Sequence, residues 1–395
     1  GCLASRSHSK PTISLVTNSY NNDGLLPGIG FAFGLDGGRE FIEKSLSNNL
    51  LIINDENINP ALFNETKNLR LDASIEPFRG LNIRLNMLHE DNRRSEFYFM
   101  MEGIPNRTGG SFAMTTISLA SAFENSTRNN NYHSSSFDMF LNNRAKVAER
   151  VKNDNINSAD VLIPAFLAAY TGKSAEKVVL SPFPNLKSML PNWEVSYNAF
   201  SIYPILQDML QSLTFNHRYI SQYRIGSYSS GYTSNTMKSD QNLSSFYIIP
   251  SVNITQSFNP LIEVRSELHN NLIVNIRVNK TKGVNLNISS YQIVETNDKD
   301  LEVGLGYKFR EINFRLDFSQ KTTTALIRKI EDGFTQATSG LKTASIRFTA
   351  DYSISRSLTL KTYYDRMMNR PLVSSYSYPT SNSNAGVSLR INFNK

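Results

Sequence analysis

The feature that most constrains this chain is strict alternation of apolar and polar residues, repeated along most of its length. Side chains of a strand point alternately to its two faces, whereas helical side chains return every 3.6 residues, so a period of two specifies strands. Near the end, Val387, Leu389, Ile391 and Phe393 interleave with Ser388, Arg390 and Asn392. Ile312, Phe314, Leu316 and Phe318 alternate with Asn313, Arg315 and Asp317, and the stretch from Ile346 to Ile354 repeats the pattern. Earlier, Leu69, Leu71, Ala73 and Ile75 face away from Arg70, Asp72, Ser74 and Glu76, and Leu81, Ile83, Leu85 and Met87 follow. Each strand therefore has one apolar face and one polar face carrying charges of both signs. From Phe246 to Leu268 the even positions stay mostly apolar. That is roughly twice the length a tilted strand needs to cross a bilayer. Either one strand projects beyond a membrane, or Asn259-Pro260 turns between two.

Strands this long, joined by short turns at one end and long loops at the other, are the pattern of an outer-membrane barrel. Tight turns are expected at Pro77–Gly80, His269–Asn271, Arg310–Glu311 and Ser355–Ser357, and long loops at Ser229–Asn242, Glu331–Leu341 and Arg366–Asn384. Only 19% of the 395 residues are charged and 40% are hydrophobic, with Asn, Ser and Thr in place of charge. The most apolar helical stretch, Val161–Tyr170, is far short of a spanning helix. A membrane crossing would thus need a closed barrel, because unpaired strand edges cannot sit in lipid. The expected fold class is all-β, a transmembrane antiparallel β-barrel in the outer membrane of a Gram-negative bacterium. Val387, Leu389, Ile391 and Phe393 would face outer-membrane lipid, and Arg390 and Asn392 the lumen. Tyr219, Tyr223, Tyr228, Tyr352, Tyr363, Tyr364, Tyr376 and Tyr378 would serve as interfacial girdle residues. A soluble β-sandwich also alternates, but with shorter strands and turn signals every ~8–12 residues.

Two regions depart from the pattern. Residues 1–66 read as irregular, with a glycine-rich Pro27–Gly34 and a short helix at Glu40–Asn48, so the barrel wall is placed at 67–395. Inside it, residues 134–190 read as a helical insertion. One helix runs over Phe137–Val151, capped by Ser134–Ser136; a second runs over Ala159–Tyr170, with Asp160 near its start and Gly172 after its end. Phe137, Phe140, Leu141, Leu162 and Phe166 would form a small hydrophobic unit, with Trp193 opening the next strand. So long an insertion is expected to line the lumen or contact a partner. Strand parity fails across it: counting back from the C-terminus puts Pro77–Gly80 at the long-loop end. One strand is missing from the count, or the insertion crosses the lumen.

Little points to chemistry. Cys2 is the sole cysteine, which excludes a disulfide framework and a cysteine zinc site. The five histidines lack metal-ligand spacing, so no metal or other cofactor is expected. His217 next to Asn216 is the one pair that a Ser-His hydrolase arrangement brings to mind, but a packing or girdle histidine explains it as well. Gly304-Leu-Gly306 and Gly28-Ile-Gly30 precede no helix start, so neither cradles a phosphate. The net charge of +7 is spread thinly, with no basic cluster for nucleic acid. The reading is a non-enzyme. A start at Gly1, with no apolar signal core in residues 1–20, marks a processed chain or a piece of a longer one.

Five phrases carry a resemblance: Asp160–Gly172, Pro191–Tyr197, Ser212–Tyr219, Val303–Phe309 and Tyr378–Asn382 running into the last strand. In this order they resemble the C-terminal portion of the SprA/Sov gliding-motility family, the giant outer-membrane translocon of the type IX secretion system. The resemblance implies one of the largest single-chain barrels, of which this chain would supply at most the closing third. It implies a pore that passes folded cargo proteins, opens laterally to a smaller outer-membrane barrel, and is blocked when idle by a periplasmic plug protein. No catalytic residues come with it. The rival functions are a different uptake or channel barrel and a soluble adhesive β-protein.

Overall fold

Alternation of this kind lets each strand bury or shelter one face while its backbone pairs on both edges, and the chain folds accordingly. The computed structural model describes residues 60–98, 106–124, 126–199, 208–230, 247–355, 357–373 and 378–391, with Ser47 alone before them. Among the described residues thirteen antiparallel strands form one sheet. In chain order they are β1 (Ala61–Ile75), β2 (Leu81–Phe97), β3 (Arg107–Thr115), β4 (Asn192–Asn198), β5 (Leu210–Ser230), β6 (Tyr247–Ile248) and β7 (Ser251–Leu268). Then follow β8 (Leu272–Asn287), β9 (Gln292–Phe309), β10 (Ile312–Lys329), β11 (Thr335–Ser353), β12 (Leu358–Pro371) and β13 (Thr380–Ile391). Apart from the short β4 and β6, neighbours in the sheet follow chain order, an up-and-down meander.

Several expectations are corrected here. The wall begins at Ala61, ahead of the boundary drawn after residue 66. Residues 251–268 are one strand; Asn259-Pro260 lies inside it, where the register with β8 shifts between Phe258 and Ile262. Glu331–Leu341 is not a long loop, because β11 starts at Thr335 and runs through it. Arg366–Asn384 shortens likewise to the segment between Pro371 and Thr380. The four tight turns fall between strands where expected. The 231–242 part of the Ser229–Asn242 loop, the Glu40–Asn48 helix apart from Ser47, and the Pro27–Gly34 segment lie outside the described residues, as do Asn392 and Phe393.

The parity problem resolves in β3 and β4. β3 pairs with β2 over residues 89–96, and β4 pairs with the same strand over residues 81–86. On the other side both pair with β5, over residues 222–229 and 214–219. They are two halves of a single wall strand, interrupted halfway up by residues 116–191. Together they supply the one wall strand between β2 and β5, and β3 is the half that the sequence reading does not detect. Its lower end, Phe112-Ala113-Met114-Thr115, is buried on both faces, so it lacks the alternation that betrays the others.

The interruption holds the helices. α1 (Ser135–Val151) and α2 (Ala159–Thr171), joined by a short connection, pack against each other. Ser134 caps α1, its hydroxyl accepting from the Phe137 amide at 3.2 Å, as the helix-start signal predicts. Gly172 ends α2 at φ +71, a left-handed conformation glycine adopts without a Cβ penalty. α2 is apolar all round and buried along nearly its whole length, sandwiched between α1 and the sheet. α1 turns Ser135, Asp138, Asn142 and Glu149 to solvent.

Candidate functional site: the face that carries the insertion

Cross-strand register tells which residues share a face, because directly paired side chains point the same way. Four successive rows can be followed across β8 to β12. The lowest is Leu272, Tyr307, Phe314, Ala350 and Thr362; next come Val274, Leu305, Leu316, Phe348 and Tyr364. Above these lie Ile276, Val303, Phe318, Ile346 and Arg366, then Val278, Leu301, Gln320, Ala344 and Met368. Val387, Leu389 and Ile391 of β13 belong to this same face, at 69%, 57% and 49% exposure, and Arg390 to the other. Ile75, Ile83 and Leu85 carry the band to β1 and β2. The opposite face is mainly polar, broken by Ile273 and Met367, and carries the exposed pairs Arg70–Asp72 at 2.8 Å, Arg315–Asp317 at 2.7 Å and Arg347–Asp365 at 2.7 Å.

The helical insertion lies on the apolar face. Its core includes Phe112 and Met114 of β3, Tyr223 and Ile225 of β5, Val252 and Ile254 of β7, Val284 and Leu286 of β8 and Ile293 of β9. Each is in register with the band below it. Phe137, Phe140, Leu162 and Phe166 are all buried in this core, with Leu141 at its edge. The five are brought together as expected, four of them buried in the packing and Leu141 partly exposed. Trp193 joins a second, smaller cluster, stacked on Tyr219 at 4.4 Å beside Phe258. Tyr219, Tyr223 and Tyr228 are therefore buried under the insertion or beside Trp193 and are not girdle residues. Tyr352 and Tyr364 are exposed on the sheet, Tyr378 is exposed in the segment before β13, Tyr363 lies on the polar face, and Tyr376 lies outside the described residues.

Two polar clusters, invisible to short-range sequence patterns, fasten the insertion to the wall. Where the chain leaves β3, the Ser118 amide donates to the Tyr219 hydroxyl at 2.9 Å. The Ser118 hydroxyl reaches Gln256 Oε1 at 3.1 Å, and Gln256 Nε2 donates to Ser121 Oγ at 3.0 Å. Further up, Glu295 of β9 is fully buried and sits 2.9 Å from the equally buried Arg328 of β10. The Tyr170 hydroxyl of α2 donates to Glu295 Oε1 at 3.0 Å, and Arg328 Nη1 donates to the Tyr132 carbonyl at 2.8 Å. Buried Lys282 of β8 lies 3.1 Å from Glu124 and 3.9 Å from Glu295. Glu124 in turn accepts from the Ser136 amide at 2.6 Å, a carboxylate at the start of α1 where the helix dipole favours it. Burial pushes the Glu124 carboxyl up, but the Lys282 ammonium and the bonds from Ser136 and Lys282 outweigh it and hold it below its ordinary value. Burial and the neighbouring Glu295 charge raise the Tyr170 hydroxyl well above its ordinary value.

His217 and Asn216 point to opposite faces. His217 Nδ1 lies 2.6 Å from the Leu261 carbonyl among aromatic rings, while Asn216 donates to Glu263 at 3.1 Å. They form no dyad. Among the described residues no group of His, Cys, Asp and Glu side chains is placed to hold a metal.

The class this architecture defines is an all-β antiparallel wall of the up-and-down type, with one apolar and one polar face and a helical unit let into a single strand. No family model matches the sequence, and no curated protein does either. Among solved structures, the in-vitro folded OmpT, an outer membrane protein of Vibrio cholerae, is 7% identical. The match covers 84% of this chain and 94% of that one, at a TM-score of 0.24. A loop-deletion mutant of the same protein gives 8% identity and the same score over 82% and 90%. The anion-selective porin from Comamonas acidovorans is 10% identical over 82% and 89%, at 0.13. At these scores no residue can be carried across.

Proposed function

We propose that this chain is a section of the wall of an outer-membrane β-barrel whose polar face lines an aqueous lumen. The observation that carries the reading is the level apolar band, which stays on one face from strand to strand. On β9 it runs from Leu301 to Phe309, roughly 30 Å along the strand at ~3.3 Å per residue. Tilted by about 40°, that approaches the ~25 Å apolar height of such barrels. Above the band the same face carries the residues that hold the insertion, among them Ile254, Val284, Leu286 and Ile293, and this half of the long strands projects past the membrane. Since the insertion shares the face of the band, it sits outside the wall, beyond the outer leaflet, and not in the lumen.

The finer proposal is that the wall belongs to the type IX secretion translocon, conducting folded cargo. The five sequence phrases support it. Among the described residues β1 and β13 each pair with one neighbour only. Open edges cannot face lipid, so in a membrane wall built this way both edges must be paired. A smaller barrel at a lateral opening and a periplasmic plug protein are the partners this reading requires.

Leu316→Arg puts a charge on the lipid face in the middle of the band, at a cost of ~2–4 kcal/mol at the bilayer midplane, and should block assembly in the outer membrane. Arg390→Ser, on the lumen face, should assemble normally. Equal tolerance of the two sinks the membrane reading. For the finer one, the full-length protein purified in detergent should bring with it a smaller barrel and a large periplasmic protein; if neither accompanies it, the translocon assignment fails.

A further inference from the structure

Immediately above the apolar band, one row of directly paired residues breaks its character. It runs Lys280, Lys299, Thr322, Lys342 and Arg370 across five adjacent strands, β8 to β12. Four of the five are cations, all on the face that carries the band. Like charges placed directly opposite one another destabilise a sheet, so a row of this kind calls for an anion. The row is not open surface. Lys299, Thr322, Lys342 and Arg370 of the row, with Arg128 and Tyr132 from the insertion, form the floor and side of a cavity of about 970 Å³, while Lys280 stands over the Phe123 ring at 4.7 Å. The cavity also reaches the apolar Leu372 and Val373. Its one lining carboxylate, Glu124, is already held by Lys282 and the start of α1. The insertion loop that supplies Arg128 and Tyr132 is anchored by Arg328, which donates to the Tyr132 carbonyl. The cavity therefore has a fixed wall, a fixed roof and a surplus of positive charge.

We propose that this cavity binds the phosphorylated sugar headgroup of an outer-leaflet glycolipid. The inference rests on the reading that the band faces the membrane. Given that, the row stands about 7 Å along the strands above the Val278–Met368 row, at ~3.3 Å per residue. A lipid whose chains lie against Ile276, Val303, Phe318 and Ile346 would put its headgroup phosphate level with the cations. Lysine and arginine both serve as phosphate ligands, and the aromatic rings of Tyr132 and Tyr378 offer faces for sugar. The opposite face at this height carries Asn279, Asp300, Lys321, Thr343 and Asn369, with both signs present and no such row.

The test uses the full-length protein extracted from outer membranes and exchanged into detergent. Retention of bisphosphorylated lipid A, of its phosphate-free form and of inorganic phosphate is measured by native mass spectrometry. Lys299→Gln/Lys342→Gln and, separately, Arg370→Gln remove cations from the row; Lys321→Gln removes one from the other face. The double variant should lose affinity for bisphosphorylated lipid A on the order of tenfold or more, Arg370→Gln less, and Lys321→Gln none. The phosphate-free form should bind all four proteins alike and weakly. Equal retention by wild type and double variant overturns the proposal. So does equal retention of the phosphate-free lipid, or binding of inorganic phosphate that displaces no lipid. If wild-type protein is absent from the outer-membrane fraction, the wall reading itself has failed before any lipid is measured.

Discussion

Arg328 and Glu295 show how much a single buried pair decides. Both are fully enclosed, and the guanidinium also reaches Ser126 and Thr335 at 3.1 Å. Removing one member of such a pair strands the other charge, at a cost of about 3–5 kcal/mol, whereas replacing both with apolar groups can be nearly neutral. Arg328→Met should release the insertion to protease while the wall stays assembled, and Arg328→Met/Glu295→Met should restore much of the resistance. Equal cleavage of wild type and Arg328→Met would refute it. Glu124 adds a pH dependence. Its folded-state pKa is depressed below the ordinary 4.5, so its contribution is fully present above that value and is lost as pH falls through the folded value. Protease nicking near the start of α1 should therefore rise as the medium is acidified below pH 4.5, and Glu124→Gln should flatten that rise.

At the scale of the element, the interrupted strand makes an unusual demand. Thr115 stands beside Leu88, its hydroxyl accepting from the Leu88 amide at 3.2 Å, and Asn192 pairs with Asn86. One position remains between them, opposite Met87 and Ser221. Thr116 already donates its amide to the Ser221 carbonyl at 3.2 Å, and so occupies it. Deleting residues 117–191 should thus join β3 to β4 as one continuous strand without a change of register. Cysteine pairs placed across β2 and the fused strand should still cross-link in register, and a one-residue slip in the pairing would contradict the half-strand geometry. On the translocon proposal, cargo export by the same deletion variant measures what the insertion does beyond covering Tyr223, Ile225 and Ile254.

For the whole molecule, the decisive question is sidedness. In the wall reading the insertion stands outside the barrel at the end opposite the short turns Pro77–Gly80, His269–Asn271 and Arg310–Glu311. Asn142 lies on the exposed side of α1. Asn142→Cys should react with a membrane-impermeant maleimide on intact cells, above the background set by Cys2 in the wild type. A cysteine in the Arg310–Glu311 turn should react only after the outer membrane is opened. The reverse pattern would invert the orientation, and would take the cationic row away from the outer leaflet.

The sequence by itself determined what local periodicity can encode. Alternation specified strands, their faces and most short turns, and capping residues placed both helices to within a residue or two. These depend on contacts between near neighbours in the chain. The half-strand β3 escaped because the insertion covers one face and other packing buries the other, so its apolar residues run consecutively. The girdle assignment of Tyr219, Tyr223 and Tyr228 failed for the same reason: a tyrosine at an interface and one under a helix look alike in one dimension. Only the tertiary structure decided that the insertion lies on the apolar face, that Glu124, Lys282, Glu295 and Arg328 meet, and that Lys280, Lys299, Lys342 and Arg370 form one row. Those residues are brought together by strand register, which is set by the cumulative pairing of the whole sheet, and no window of sequence contains it.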